Sequence, residues 1–196
     1  MKYGNLTLGQ IEALVNKLGG MEEVRKILSG QGAPAPAPQA PSVFLPALSV
    51  PTVPELIEPF VTKDHFNSVE GIWTGSDFNK EFRGMSVAPR KGYELTVRTL
   101  SMPANDGEIL KELGDPDGLK AEIDLYTLHQ LIVMQKSGRR GLLTTDYANI
   151  FYLRNNEGQL RAVSVSRDDG EWSVSVYSVS SPVRWSGGRR VFSRNS

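Results

Sequence analysis

The sequence predicts an α+β fold: an antiparallel meander sheet with helices on one face, preceded by a small N-terminal helical hairpin on a Pro-rich linker. Three observations predict it. The last third of the chain, residues 141–194, is a series of β-branched and aromatic runs separated by turn residues. Residues 121–135 carry apolar side chains at helical spacing. Residues 5–30 repeat that spacing twice around Gly19-Gly20, and a stretch dense in proline follows.

The hairpin occupies residues 1–30. Thr7 followed three residues later by Gln10 fits a capping box, in which each side chain satisfies a backbone N–H of the other's turn. Leu8, Ile11, Leu14, Val15 and Leu18 then form one apolar stripe, and Gly19-Gly20 ends the helix. A second helix sets Met21, Val24, Ile27 and Leu28 against Glu22, Glu23, Arg25 and Lys26. Helices this short do not bury enough apolar surface to stand alone. They must dock on the main domain, on a second copy or on a partner, and Leu8, Ile11, Leu14, Val24 and Ile27 are the side chains expected at that contact. Neither helix has the basic face of a DNA-reading element.

Residues 31–60 read as a linker. Ala33 to Pro38 alternates alanine with proline, and Pro41, Pro46, Pro51, Pro54 and Pro59 follow. Such a segment favours extended polyproline II. The apolar patch Val43 to Leu48 is expected to pack on its own domain.

Residues 61–196 form the α+β domain. A strand is expected at 69–74, with Trp73 and Phe82 in the core and a turn at Gly75-Ser76-Asp77. Residues 86–91 read as loop and 93–100 as an alternating strand. Asn105 to Glu108 opens a short helix closed by Gly114, and 121–135 is the core helix. Five strand-like runs complete the chain: 142–145, 149–153, 160–166, 172–177 and 190–193. Asn155 to Gly158, Asp168 to Gly170 and Gly187-Gly188 are the expected turns between them.

Composition narrows the function classes. The 22 basic and 22 acidic residues cancel, so no global field draws the chain to nucleic acid or membrane. There is no cysteine, which removes disulfides, thiol nucleophiles and Cys-based zinc sites. No apolar run approaches the roughly 20 residues of a membrane helix, and no signal-peptide core is present. A cytoplasmic protein with no membrane attachment is expected.

The segments Thr7–Gly20, Asp146–Asn155 and Arg184–Asn195 resemble parts of an uncharacterised family of bacterial hypothetical proteins, with the linker the least similar region. The resemblance implies a bacterial, cytoplasmic protein. It implies no catalytic residue and no cofactor.

Phosphate loops, nucleophile elbows and zinc-protease motifs are absent. His65 and His129 stand far apart in sequence without further ligands at metal spacing, so no metal site is expected. One constellation remains. Arg184, Trp185, Arg189, Arg190 and Arg194, with Phe192, set four guanidiniums and two aromatics within eleven residues. That combination suits protein interfaces or the stacking and phosphate contacts of single-strand RNA binding. The expected function is a non-enzymatic interaction or adaptor module that binds a protein partner or self-associates through the hairpin. The alternative, ranked below it, is an RNA-binding protein or small ribonuclease using the Arg-rich end of the sheet.

Overall fold

The computed structural model describes residues 7–29, 42–48, 52–66, 71–136 and 142–194. The chain divides into two units, Met1–Pro41 and Ser42–Ser196.

In the first unit, α1 (Leu8–Lys17) begins at the predicted capping box. The Gln10 N–H donates to Thr7 Oγ1, and the Thr7 N–H donates to Gln10 Oε1 at 2.9 Å. Gly19 and Gly20 both adopt positive φ, and the Gly20 N–H closes the helix on the Val15 carbonyl at 2.8 Å. The second helix, α2 (Met21–Leu28), follows directly.

The second unit starts at Ser42 rather than at residue 61. Leu45 and Leu48 N–H groups donate to the Thr99 and Val97 carbonyls. Glu112 receives the Val43 N–H at 2.8 Å and the Ser42 hydroxyl. Phe44 is buried. The apolar patch therefore packs on its own domain, as expected, and residues 42–60 belong to that domain. Of the expected linker, residues 31–41 and 49–51 lie outside the described residues. The prolines at 46, 54 and 59 are compatible with this because the segment runs along the sheet's edge, where backbone N–H groups are dispensable.

The strands are β1 (Thr52–Val53), β2 (Phe60–Val61), β3 (Ile72–Thr74), β4 (Ser86–Val87), β5 (Tyr93–Thr99), β6 (Asn149–Arg154), β7 (Leu160–Asp168), β8 (Glu171–Ser178) and β9 (Arg190–Arg194). The helices are α3 (Thr62–Phe66), α4 (Ser76–Phe82), α5 (Asp106–Glu112) and α6 (Leu125–Lys136). Seven strands form one sheet in the order β1-β5-β9-β6-β7-β8-β3, and β2 pairs with β4. The class is α+β and the sheet mostly antiparallel. Its edge strands have two and three residues, short enough to offer little template for aggregation.

The meander holds for β6, β7 and β8. Asp169 and Gly170 close the second hairpin with positive φ at both turn positions, as a two-residue turn of type I′ requires. The chain then returns across the sheet, so β9 lies parallel to β6 and antiparallel to β5. Gly187-Gly188 is thus a turn ahead of β9 and closes no hairpin. The 142–145 run is no strand. The Gln135 side chain takes the Leu142 and Leu143 N–H groups, and Asn149 clamps Thr144 through both its N–H and its carbonyl.

Helices cover both faces, unlike the one-face expectation. Phe66, Phe78, Phe82, Leu128 and Leu131 from α3, α4 and α6 pack over Val97, Phe151, Val163, Trp172 and Phe192. On the opposite face, Ile109 and Leu110 of α5 pack with Ile150, Tyr152, Val191 and Trp185. The unbroken burial of Asn149 to Leu153 reflects this double cover. The Gly75-Ser76-Asp77 stretch opens α4 instead of a turn, because Phe78 and Phe82, one helical turn apart, both gain a core position. Trp73, expected in the core, is 55% exposed. It stands on an edge strand, on the face that α3, α4 and α6 do not cover.

Candidate functional site

Two places gather the residues singled out from the sequence. The first is the hairpin. No residue of α1 is buried, and Leu8, Leu14 and Leu28 are 75%, 53% and 81% exposed. Ile11 is also exposed and Val24 half-buried; the Ile27 side chain lies outside what is described. Among the described residues the predicted stripe is formed, with Leu8, Ile11 and Leu14 exposed and Val15 and Leu18 half-buried.

The second is the turn before β9. Its residues do not make one basic surface, because strand alternation separates them. Arg190, Phe192 and Arg194 fall on the face of α6. Arg190 donates to the Leu142 carbonyl at 3.1 Å, and the Arg194 guanidinium stands 4.9 Å from the Tyr93 ring centre. Arg184 and Trp185 lie on the opposite face and Arg189 turns toward it. Arg184 is held by Glu108 at 2.9 Å and by the Pro103 carbonyl. The Glu108 carboxyl lies below its usual range, chiefly through the Asn105 N–H and then through Arg184. Both side chains of this pair are about half exposed, so Arg184→Ala is expected to leave the thermal midpoint unchanged within error. A clear drop in a melting curve would contradict that.

Trp185 is pinned. Its backbone exchanges both hydrogen bonds with Ala104, and its indole N–H donates to Asp106 Oδ1 at 2.9 Å. The Tyr152 hydroxyl donates to the same oxygen at 2.7 Å. Asp106 follows Asn105, which caps α5 in a box with Glu108. Burial raises the Asp106 carboxyl above its ordinary value despite the donors from Tyr152 and Trp185. Burial, then the Asp106 charge, raises Tyr152 well above the usual phenol. Beside Trp185, β7 and β8 turn Ser164, Ser166 and Tyr177 to the same face. The loop before β6 adds Tyr147, and Arg189 completes a cleft of about 320 Å³.

Two further clusters were hidden in the sequence. Arg90 bridges Asp124 through Nε at 2.6 Å and Nη2 at 3.1 Å, and reaches Thr127 Oγ1 at 2.8 Å. Asp124 also accepts the Thr127 N–H at 2.7 Å, capping α6. Burial alone would raise the Asp124 carboxyl, but the bonds from Arg90 and Thr127 outweigh it and hold the group low. In the other cluster the two histidines meet, ring centres 5.4 Å apart, among Phe60 and Phe66. His129 has both ring nitrogens buried without a hydrogen-bond partner. Burial first, then the charges of His65 and Lys136, lowers its pKa to about 4, so it is neutral at pH 7. Among the described residues, no group of three or more metal-ligating side chains gathers here or elsewhere. No helix among them is long and apolar enough to cross a membrane.

Neither models of known families, nor curated proteins, nor solved structures gave a match to this chain.

Proposed function

We propose that this chain is a cytoplasmic, non-enzymatic interaction protein whose N-terminal hairpin associates with a second copy of itself. The observation that carries the reading is the stripe of α1 and α2, with Leu8, Leu14 and Leu28 more than half exposed. Each Leu or Ile withdrawn from water contributes about 1.5–3 kcal/mol. Leu8, Ile11, Leu14, Met21 and Leu28 are already partly covered, so two copies burying them gain about 9–18 kcal/mol, enough to offset an association cost of about 4–15 kcal/mol over most of its range.

Charge favours a second copy over a charged partner. Residues 7–29 hold three acids (Glu12, Glu22, Glu23) and three bases (Lys17, Arg25, Lys26), a net charge of zero. Two such hairpins related by a two-fold axis form a four-helix bundle with both signs on its rim. The proline- and alanine-rich stretch that follows suits a spacer between such a bundle and the α+β unit. Replacing Leu14 with Glu is expected to abolish self-association while leaving the thermal unfolding of the α+β unit in place. Gel filtration with light scattering and a melting curve read the two properties separately. An oligomer that survives Leu14→Glu counts against the hairpin contact.

The RNA reading has less support. Arg184 is committed to Glu108, and Arg190 and Arg194 lie across the sheet from Arg189. His129, the one histidine a ribonuclease reading would recruit, is buried on the α6 face and neutral.

A further inference from the structure

We propose that the cleft between Tyr147, Tyr177, Trp185 and Arg189 binds a small oxyanion carried on a flat ring, an aryl carboxylate or aryl phosphate, with Arg189 holding the anionic group. Self-association through the hairpin neither requires nor supplies this site.

The first argument is the state of Arg189. A guanidinium keeps its charge at every pH that leaves a protein folded. Its Nε and Nη1 are buried and donate to nothing among the described residues. It stands against a π-face: the guanidinium carbon is 5.4 Å from the Trp185 ring centre. Cation–π contact offsets part of the lost hydration and offers no acceptor oxygen. Two acids stand nearby. Asp106 already accepts the Trp185 and Tyr152 donors on one oxygen, and burial biases its carboxyl toward the neutral form. Asp146, at the mouth, is exposed and in no ion pair with Arg189. Among the described residues no carboxylate pairs with Arg189, and the guanidinium lines the cleft, where an oxyanion would meet its charge with charge-assisted bonds.

The second argument is the wall. Tyr147 and Tyr177 are 51% and 45% exposed, yet both line a concave surface. Tyr177 sits edge-on to Trp185 with ring centres 5.2 Å apart. Tyr147 lies directly over Gly188: a Cβ there would stand 2.9 Å from its ring, and the backbone has φ +88°. Only glycine admits that close approach at that conformation. The Gly187-Gly188 turn therefore seats an aromatic side chain in the cleft wall. Half-exposed aromatic faces in a concavity are suited to a flat ring.

The third argument is size and polarity. About 320 Å³ is at the small end for ligand pockets, sufficient for one ring and its anionic group. Ser164 and Ser166 supply neutral hydroxyls on the floor. The charged lining is Arg167, Arg189 and Asp146, one more base than acid, and the small volume favours a free small molecule over a length of nucleic-acid strand.

The test is isothermal titration of full-length protein with phenyl phosphate, benzoate, inorganic phosphate and a single-stranded RNA hexamer. Saturable binding of phenyl phosphate or benzoate is expected, with inorganic phosphate at least about tenfold weaker; which ring anion binds tighter tells phosphate from carboxylate. Arg189→Met should weaken the ring anion at least about tenfold while the unliganded melting temperature stays level or rises, because an uncompensated charge has been removed. A merely structural Arg189 would instead show a lower melting temperature. Tyr147→Ala should weaken the ring anions and leave inorganic phosphate unchanged. The proposal is overturned if neither ring anion saturates, if Arg189→Met binds as well as the parent, or if the RNA hexamer alone binds.

Discussion

Asp124→Ala is expected to lower the unfolding free energy by about 3 kcal/mol. Four hydrogen bonds converge on this carboxylate, two from Arg90 and two from Thr127. Both charged side chains are more than four-fifths buried, so the usual discount for exposed pairs does not apply. Removing Asp124 leaves the Arg90 guanidinium in a partly dry site beside the rings of Tyr93 and Tyr126. It also uncaps α6, which carries Leu128 and Leu131 into the core. Denaturant unfolding of Asp124→Ala, Arg90→Ala and the double variant separates the ion pair from the cap. The pair predicts a coupling of about 1.5–3 kcal/mol. A coupling near zero would mean that the cap alone accounts for the loss.

His129 should make stability depend on pH by up to about 3 kcal/mol. The folded-state value of about 4 lies below the ordinary 6.5, so between those values the unfolded chain binds the extra proton. Stability is therefore full above pH 6.5 and is lost as pH falls toward 4. Replacing His129 with Leu removes this dependence and, because neither nitrogen has a partner, costs little at pH 7. The raised carboxyl of Asp106 acts in the opposite sense, gaining stability on acidification, but it is common to both proteins and cancels in their difference. Urea unfolding at pH 7 and pH 4.5 should show the parent losing at least about 1.5 kcal/mol more than His129→Leu. Parallel losses would show that His129 is accessible to protons in the folded state.

What the sequence disclosed was local. The box at Thr7–Gln10 formed, and the helix expected to open at Asn105–Glu108 does so, on a second box. The Asp169-Gly170 turn joins strands paired in immediate register. What it hid was decided by distant partners. Arg90 and Asp124 are separated by 34 residues, as no local pattern reveals, and His65 meets His129 only because α3 packs on α6. Helix α4 sat behind a stronger turn signal, although Phe78 and Phe82 at i and i+4 were the available clue. The return of β9 beside β6 followed from core burial on two faces, for which the unbroken apolar run at 150–153 was a sign. The Arg-rich end was legible in composition but not in geometry. Alternation along 189–194 was sufficient to assign Arg190 and Arg194 to one face and Arg189 to the other.

The central claim, a hairpin that joins two copies, is tested most directly by sedimentation equilibrium of the full-length chain from about 1 to 100 μM. The account predicts a concentration-dependent mass reaching at least twice that of one chain, reduced to a single chain throughout by Leu14→Glu. A full-length protein that stays monomeric at every concentration would contradict it.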